Sequence, residues 1–419
     1  MTRLNHEKFR TGLVVGKFSP LHRGHMLVID TAIEQCDKVL VLSYSNPEFE
    51  LCDADTRLEW FTRLYSNSST TKVVILPPHA VLPNDADDFA HRVFCAEVLV
   101  TDIGTTVDAV FTSESYGDGF AQFLTEWFTL NLNYKRRVEH VLVDIERSIV
   151  PTSGTNLRAM KPAAMRPFVD PIVGKSFVPR IAILGGESSG KTTLARALAE
   201  RLNAPYVAEY GREVWESCNG DLELRDMYHI AATQILNETE AAEAVFKYGT
   251  GDPYVVCDTT PLTTAWYSSQ LFNWVSNELL DAACRQYHTT VLCDPNIPFE
   301  QDGTRRDDAF RQAAHDWYVG SLTESGIPYI IVTGSVQERV DQIVQHLENI
   351  NMLLKPHHEH VPSHVLTDTK YVWKSTTTGR FCFQDETENF NGDYATEVEA
   401  AAALKQYVDM FLMSSPKED

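Results

Sequence analysis

An octapeptide in the middle of the chain, Gly185-Gly186-Glu187-Ser188-Ser189-Gly190-Lys191-Thr192, constrains the fold more than any other segment. It lies between a buried-strand pattern, Ile181-Ala182-Ile183-Leu184, and a helix pattern with Leu194, Leu198 and Leu202 on one face. In that setting the glycines let backbone N–H groups close on phosphate, the lysine supplies positive charge beside the transferred group, and the final hydroxyl ligates magnesium. The candidates for nucleotide phosphates are therefore Gly185, Glu187, Ser188, Ser189, Gly190, Lys191, Thr192 and Thr193, with Thr192 as a magnesium ligand. Such a loop marks nucleotide binding but does not separate a kinase from an ATPase or a GTPase.

Upstream, Gly16-Lys17-Phe18-Ser19-Pro20-Leu21-His22-Arg23-Gly24-His25 is a second and different phosphate signature. It joins the end of a short apolar strand, Leu13-Val14-Val15, to a helix pattern carried by Met26, Ile29 and Ile33. Two histidines at the opening of a helix donate to phosphate oxygens, and the free N–H groups of the first turn point the same way. Further apolar runs at Val39–Leu42, Val73–Leu76, Ala109–Phe111 and Val141–Val143 predict a parallel sheet covered by helices. A second such sheet is expected from Ile181–Leu184, Tyr254–Cys257, Thr290–Cys293 and Tyr329–Val332. The proline-rich stretch from Met160 to Val178 reads as a connection between the two.

The fold class is thus α/β, two doubly wound parallel-sheet domains over 1–165 and 166–350, followed by a small α+β unit over 351–419. In the last unit Tyr371–Phe383 predicts a hairpin turning near Gly379, and Thr396-x-x-Glu399 predicts the cap of a closing helix. The 419 residues, 43% of them hydrophobic, suffice for these cores. A formal charge of -22 opposes binding of nucleic acid through a general basic surface, since phosphate neutralisation needs clustered Lys and Arg. Eight cysteines without a C-x-x-C pair read as thiols of a reducing compartment. No apolar run reaches membrane-spanning length and none near Met1 resembles a signal peptide, so a cytoplasmic protein without a membrane partner is expected.

The upstream signature resembles the HxGH motif of the nucleotidyltransferase superfamily, in the form found in NadR-type nicotinamide mononucleotide adenylyltransferases. Pro151-Thr152-Ser153-Gly154-Thr155-Asn156-Leu157-Arg158 is similar to that family's second phosphate-binding stretch, and the P-loop with Glu209-Tyr210-Gly211-Arg212 is similar to its ribosylnicotinamide kinase domain. The resemblance spans about residues 12 to 345. It implies two reactions, each using ATP and magnesium. In the first, the 5'-phosphate of nicotinamide mononucleotide attacks the α-phosphate of ATP, yielding NAD and pyrophosphate. His22, His25, Lys17 and Arg158 carry the catalytic charge there, and Gly16, Phe18, Ser153 and Thr155 complete the ATP contacts. Arg57, in Thr56-Arg57-Leu58-Glu59-Trp60, reads either as a substrate contact or as a surface helix residue.

In the second reaction the ribose 5'-hydroxyl of ribosylnicotinamide takes the γ-phosphoryl group. Lys191 serves the phosphates, and Asp258 is general base or magnesium partner, with helix capping as its structural alternative and Asp294 as its rival. Glu209 and Arg212 are placed against the nucleoside, Arg305 and Arg306 in a lid over the phosphates, and Phe299 either against the cationic ring or in the core. Thr260 stands where the family often has a second Asp, and Phe299 where it tends to have Trp. The short lead before the first strand leaves no room for the helix-turn-helix of some relatives, so repressor activity is not expected. His357, His358, His360 and His364 read as a polar linker rather than a metal site. Two other readings stay open: one site active and the other regulatory, or a nucleotide-sensing module without turnover. Oligomeric state, including a homo-oligomer, also stays open.

Overall fold

The computed structural model describes residues 8–146, 148–298, 307–354, 364–366, 372–375, 379–384 and 390–414. Strands β1 (Phe9–Gly16), β2 (Cys36–Ser43), β3 (Thr71–Ile75), β4 (Ala109–Thr112) and β5 (Glu139–Leu142) form a sheet in the order β3-β2-β1-β4-β5, parallel throughout. Helices α1 (Arg23–Gln35), α2 (Ala54–Tyr65), α3 (Asp88–Glu97), α4 (Gly117–Leu132) and α5 (Gly154–Arg158) accompany it. The apolar runs are continuous because both faces are covered. Val14, Val41 and Phe111 face one cluster with Trp60 and Phe61 of α2, whereas Leu13, Leu40, Leu42 and Val110 face another with Phe120, Leu124 and Phe128 of α4. The chain runs outward from β1 to β3 and returns at β4, which leaves a crevice at the carboxyl ends of β1 and β4.

The stretch expected as a bare connection is instead a packed element. It folds into α6 (Pro162–Met165), α7 (Pro171–Gly174) and a 3-10 turn at Lys175–Phe177. A second parallel sheet follows, from β6 (Arg180–Leu184), β7 (Tyr206–Val207), β8 (Val255–Asp258), β9 (Thr289–Cys293) and β10 (Tyr329–Val332), in the order β10-β9-β6-β8-β7. Its helices are α8 (Lys191–Leu202), α9 (Tyr210–Ser217), α10 (Leu224–Tyr248), α11 (Pro261–Phe272), α12 (Asn277–Ala283), α13 (Asp308–Glu324) and α14 (Val336–Leu354). The two-residue β7 has no sequence signature, since periodicity needs more residues than that.

Both sheets belong to one compact unit, residues 1–340. One apolar cluster joins them, with Trp60 and Phe61 from the first half, Met165, Val169, Val173 and Val178 from the connecting stretch, and Phe246, Val255 and Cys257 from the second. Polar contacts reinforce it. Trp60 Nε1 donates to Ser176 Oγ at 3.0 Å, Lys175 pairs with Glu59, and Arg63 meets Glu243 at 2.6 Å. Gly174 lies against the Phe246 ring, where a Cβ would come within 2.2 Å of a ring carbon, so this close approach requires glycine.

A second unit spans residues 341–419. The expected hairpin forms from β12 (Val372–Ser375) and β13 (Phe381–Gln384), flanked by β11 (His364–Leu366) and β14 (Phe390–Tyr394) in an antiparallel sheet. Helix α15 (Glu397–Ser414) begins at a reciprocal cap, with Thr396 N donating to Glu399 Oε2 at 3.0 Å and Glu399 N to Thr396 Oγ1 at 3.3 Å. Among the described residues no helix is long and apolar enough to cross a membrane.

Phe246→Ala should cost about 3–5 kcal/mol through the cavity it leaves. Because its cluster joins both sheets, denaturant unfolding followed by probes in each half should stay a single transition at lower denaturant. Two separate transitions, with only the second displaced, would show that the halves do not share a core.

Candidate functional site

The first candidate site begins where β1 ends. Phe18 adopts a left-handed backbone (φ 49°) that bulky residues rarely take, and packing holds it there. Its buried ring meets Phe61 and His25 edge-on, with centroids 5.1 and 4.9 Å away, and lies over Gly16, where a Cβ would be 3.1 Å from it. His22 then caps α1. Gly24 N and His25 N donate to His22 Nδ1 at 3.1 and 3.3 Å, and His22 N donates to His25 Nδ1 at 3.4 Å. The two histidines thus form a reciprocal capping box, their rings stacked 3.6 Å apart at 23°. With each Nδ1 accepting, the proton of each neutral ring resides on Nε2.

The second stretch docks onto this loop. Arg158 Nη1 donates to the Ser19 carbonyl, Nη2 to Thr155 Oγ1 at 3.2 Å, and the guanidinium lies 3.8 Å from the centroid of the Phe49 ring. Ser153 Oγ caps α5 by accepting from Asn156 N at 3.2 Å, and Gly154 lies against Ser19, whose carbonyl oxygen a Cβ would approach to 3.0 Å. Loss of solvation, and then the charge of Arg158, holds the Lys17 ammonium below the usual lysine range, with Asp85 and Glu114 pulling the other way. Loss of solvation likewise lowers Arg158.

Arg57 is not a surface residue: it is 0% exposed. Its guanidinium donates to the Lys17 carbonyl (3.3 Å), Ser43 Oγ (2.7 Å), Glu48 Oε1 (2.8 Å) and the Asp53 carbonyl (3.3 Å). It braces the Lys17 loop from beneath.

The second candidate site lies at the carboxyl end of β6. Gly185 (φ 146°) and Gly190 (φ 82°) take backbone conformations that side chains disfavour, and Lys191 Nζ donates to the Gly186 carbonyl at 3.0 Å. Two buried arginines that sequence reasoning did not single out hold the loop from behind. Arg339 Nη1 donates to the Ser189 carbonyl at 2.8 Å and Arg311 Nη1 to the Ser188 carbonyl at 3.4 Å. Their partners in the loop are backbone carbonyls more than 100 residues away, so no local motif marks this role.

A cavity of about 210 Å³ opens beside the loop, lined among others by Lys191, Thr192, Glu209, Arg212, Trp215 and Tyr267. Thr193, Glu187, Ser188 and Ser189 also reach it. Tyr267 donates to Glu187 Oε1 at 3.0 Å, and Arg212 Nε lies 3.7 Å from Glu209 Oε2. Burial, with help from Asp258 and Glu187, raises the Glu209 carboxyl above the usual range, against Lys191 and Arg212. Trp215 and Tyr267 are aromatic walls that the sequence reading missed. Phe299, Arg305 and Arg306 lie outside the described residues.

Asp258 ends β8, the strand beside β6, and is 1% exposed. Its Oδ2 accepts from Tyr206 at 2.9 Å, while Oδ1 has no hydrogen-bond partner among the described residues. Helix capping, its structural alternative, falls to Thr260, whose Oγ1 accepts from Leu262 N at 3.2 Å. The rival Asp294 accepts from Asn296 N at 2.7 Å in a turn. The unpartnered buried oxygen of Asp258 and the Thr192 hydroxyl fit a hard cation beside the phosphates. Among the described residues no group of three or more His, Cys, Asp or Glu gathers as a metal site on its own. His357, His358 and His360 lie outside the described residues.

Replacing Arg57 by Met should cost on the order of 3 kcal/mol, because Glu48 and the carbonyls it serves lose a buried partner. Denaturant unfolding measures this. Unchanged stability with weakened substrate binding would instead mark Arg57 as a ligand contact.

Comparison with known proteins follows the same division. Residues 13–114 match the cytidylyltransferase-like family model, and residues 180–339 match the family model described as an AAA domain. The trifunctional NAD biosynthesis/regulator protein NadR of Salmonella typhimurium (strain LT2) is 26% identical over 345 residues, covering 77% of this chain and 78% of that protein. Its counterpart from Escherichia coli (strain K12) is 25% identical over 350 residues, covering 78% of this chain and 79% of that protein. A crystal structure of NadR protein in complex with NAD and AMP-PNP superimposes with a TM-score of 0.56 at 20% identity, over 82% of this chain and 98% of the other. The chain is a homologue of the NadR proteins, with a cytidylyltransferase-like segment ahead of a P-loop segment.

Proposed function

We propose that this chain is a bifunctional NAD salvage enzyme that phosphorylates ribosylnicotinamide to nicotinamide mononucleotide and adenylylates the mononucleotide to NAD. The observation that carries the reading is that one compact unit holds two separately built phosphate cradles, each with its own cationic side chains. The relatives named for NAD biosynthesis, and solved NadR structures described with NAD, AMP-PNP and NR, support the choice of substrates.

In the first site the 5'-phosphate oxygen of nicotinamide mononucleotide forms a bond to the α-phosphorus of ATP as the bond to the bridging oxygen breaks and pyrophosphate leaves. The Nε2–H groups of His22 and His25, with Lys17 and Arg158, neutralise charge on the α-phosphate and the departing group. Gly16, Phe18, Ser153 and Thr155 shape the ATP pocket. The capping box fixes both imidazoles before substrate arrives, so little reorganisation accompanies reaction.

In the second site the ribose 5'-hydroxyl attacks the γ-phosphorus of ATP, its proton passes to Asp258, and ADP leaves. Lys191 and the N–H groups of the loop hold the phosphates, while Glu209 and Arg212 orient the nucleoside. Thr192 would hold magnesium, with Asp258 as its outer-sphere partner, and the ion's charge offsets that of the phosphates when bound. Trp215 and Tyr267 supply π faces suited to a cationic ring. The same reading places the protein in the cytoplasm, without nucleic-acid or membrane partners.

Separate assays of the two reactions test it. Lys191→Ala should lower ribosylnicotinamide phosphorylation by about 10²-fold or more while leaving adenylylation within about twofold, and His25→Ala should do the reverse. Loss of both activities from either change, in folded protein, contradicts two independent sites.

A further inference from the structure

The register of the second sheet sets Tyr206 opposite Val256, with Asp258 two residues further along β8, so all three share one face. The Tyr206 hydroxyl reaches diagonally across and donates to Asp258 Oδ2 at 2.9 Å. From α8, the helix that the P-loop opens, Arg196 lies 5.3 Å from the centroid of the Tyr206 ring and helps to fix it. The remaining carboxylate oxygen, Oδ1, is buried and has no hydrogen-bond partner among the described residues. The phenol is an O–H donor and the carboxylate an acceptor, so the contact has one direction.

A carboxylate is planar and its two oxygens rotate together. Committing Oδ2 to one donor therefore fixes where Oδ1 points, and Asp258 lies in register with Ile183, just ahead of the P-loop.

We propose that Tyr206 is a positioning residue for phosphoryl transfer: its hydroxyl holds Oδ2 of Asp258 and thereby aims Oδ1 at the acceptor hydroxyl beside the P-loop. The inference rests on the kinase reading of the second site. The acceptor oxygen forms its bond to the γ-phosphorus, the bond from that phosphorus to the β–γ bridging oxygen breaks, and the acceptor proton goes to Oδ1.

Tyr206→Phe removes one oxygen and keeps the ring. It should lower kcat for ribosylnicotinamide phosphorylation about ten- to a hundredfold, a share of the roughly 10²–10⁴-fold that a positioned base contributes. KM for ATP and nucleoside should stay within about twofold. In an Asp258→Asn background the same change should cause little further loss, because its effect runs through the carboxylate. An unchanged kcat, or the same fold loss in both backgrounds, overturns the proposal. A second readout is independent of turnover: the ¹⁹F resonance of 3-fluorotyrosine placed at position 206 should shift on Asp258→Asn. Wild-type protein that phosphorylates no ribosylnicotinamide refutes the kinase reading itself; a resonance that Asp258→Asn leaves in place refutes the Tyr206–Asp258 contact.

Discussion

A helix that starts where a buried parallel strand ends is the constraint on which both sites depend. The first-turn N–H groups of such a helix have no partner within it, and they carry the positive end of the helix dipole. Presenting them at the edge of a sheet creates an anion cradle from backbone alone. The chain starts a helix at such a strand end twice, but with different chemistry. At α1 the N–H groups of Arg23, Gly24 and His25 already donate to the Phe168 carbonyl and to His22 Nδ1, and the histidine side chains take over the anion-facing role. At α8 the glycines supply the backbone conformations that side chains resist, and Lys191 adds charge. At α1 two histidines cap the first turn and each other, so the cap and the Nε2–H donors for phosphate are the same residues.

Holding two such cradles requires rigid support, and buried arginines supply it in both halves. Arg57 ties the Lys17 loop to Ser43 at the end of β2 and to Glu48, while Arg311 and Arg339 hold the carbonyls of Ser188 and Ser189. A guanidinium can satisfy several carbonyls at once without losing its charge, which a lysine cannot do with the same geometry. The connecting stretch completes the support. Arg23 N, in the first turn of α1, donates to the carbonyl of Phe168 at 2.7 Å, so the stretch between the sheets touches the first site directly.

The sequence made legible whatever depends on local pattern. Among the described residues, nine of the ten parallel strands correspond to apolar runs of the sequence: the central strands are buried on both faces, and the partly exposed outer strands β3, β5 and β10 still carry enough Val, Ile and Leu to be seen. The two phosphate loops were legible because their glycines, histidines and lysine stand at fixed spacings. What escaped depends on distant parts of the chain. The strand β7 is too short for periodicity, yet it supplies Tyr206 to Asp258. The Pro-rich stretch reads as linker by composition but buries Met165, Val169 and Val173 between the sheets. Arg57 carries no local sign of whether it faces water or the core; only the fold places it against Lys17. The i, i+3 spacing of His22 and His25 is that of a capping box, a signal present in the sequence but hidden because the box is usually built from hydroxyl and carboxylate residues.

The most direct test of two coupled phosphate chemistries in one chain is a product time course with ribosylnicotinamide, ATP and magnesium. Nicotinamide mononucleotide, NAD, ADP and pyrophosphate would be followed together on the wild-type protein. The account predicts that ADP and the mononucleotide form first and that NAD and pyrophosphate then rise in equal amounts. Accumulation of the mononucleotide with no NAD, or no turnover at all, would contradict it.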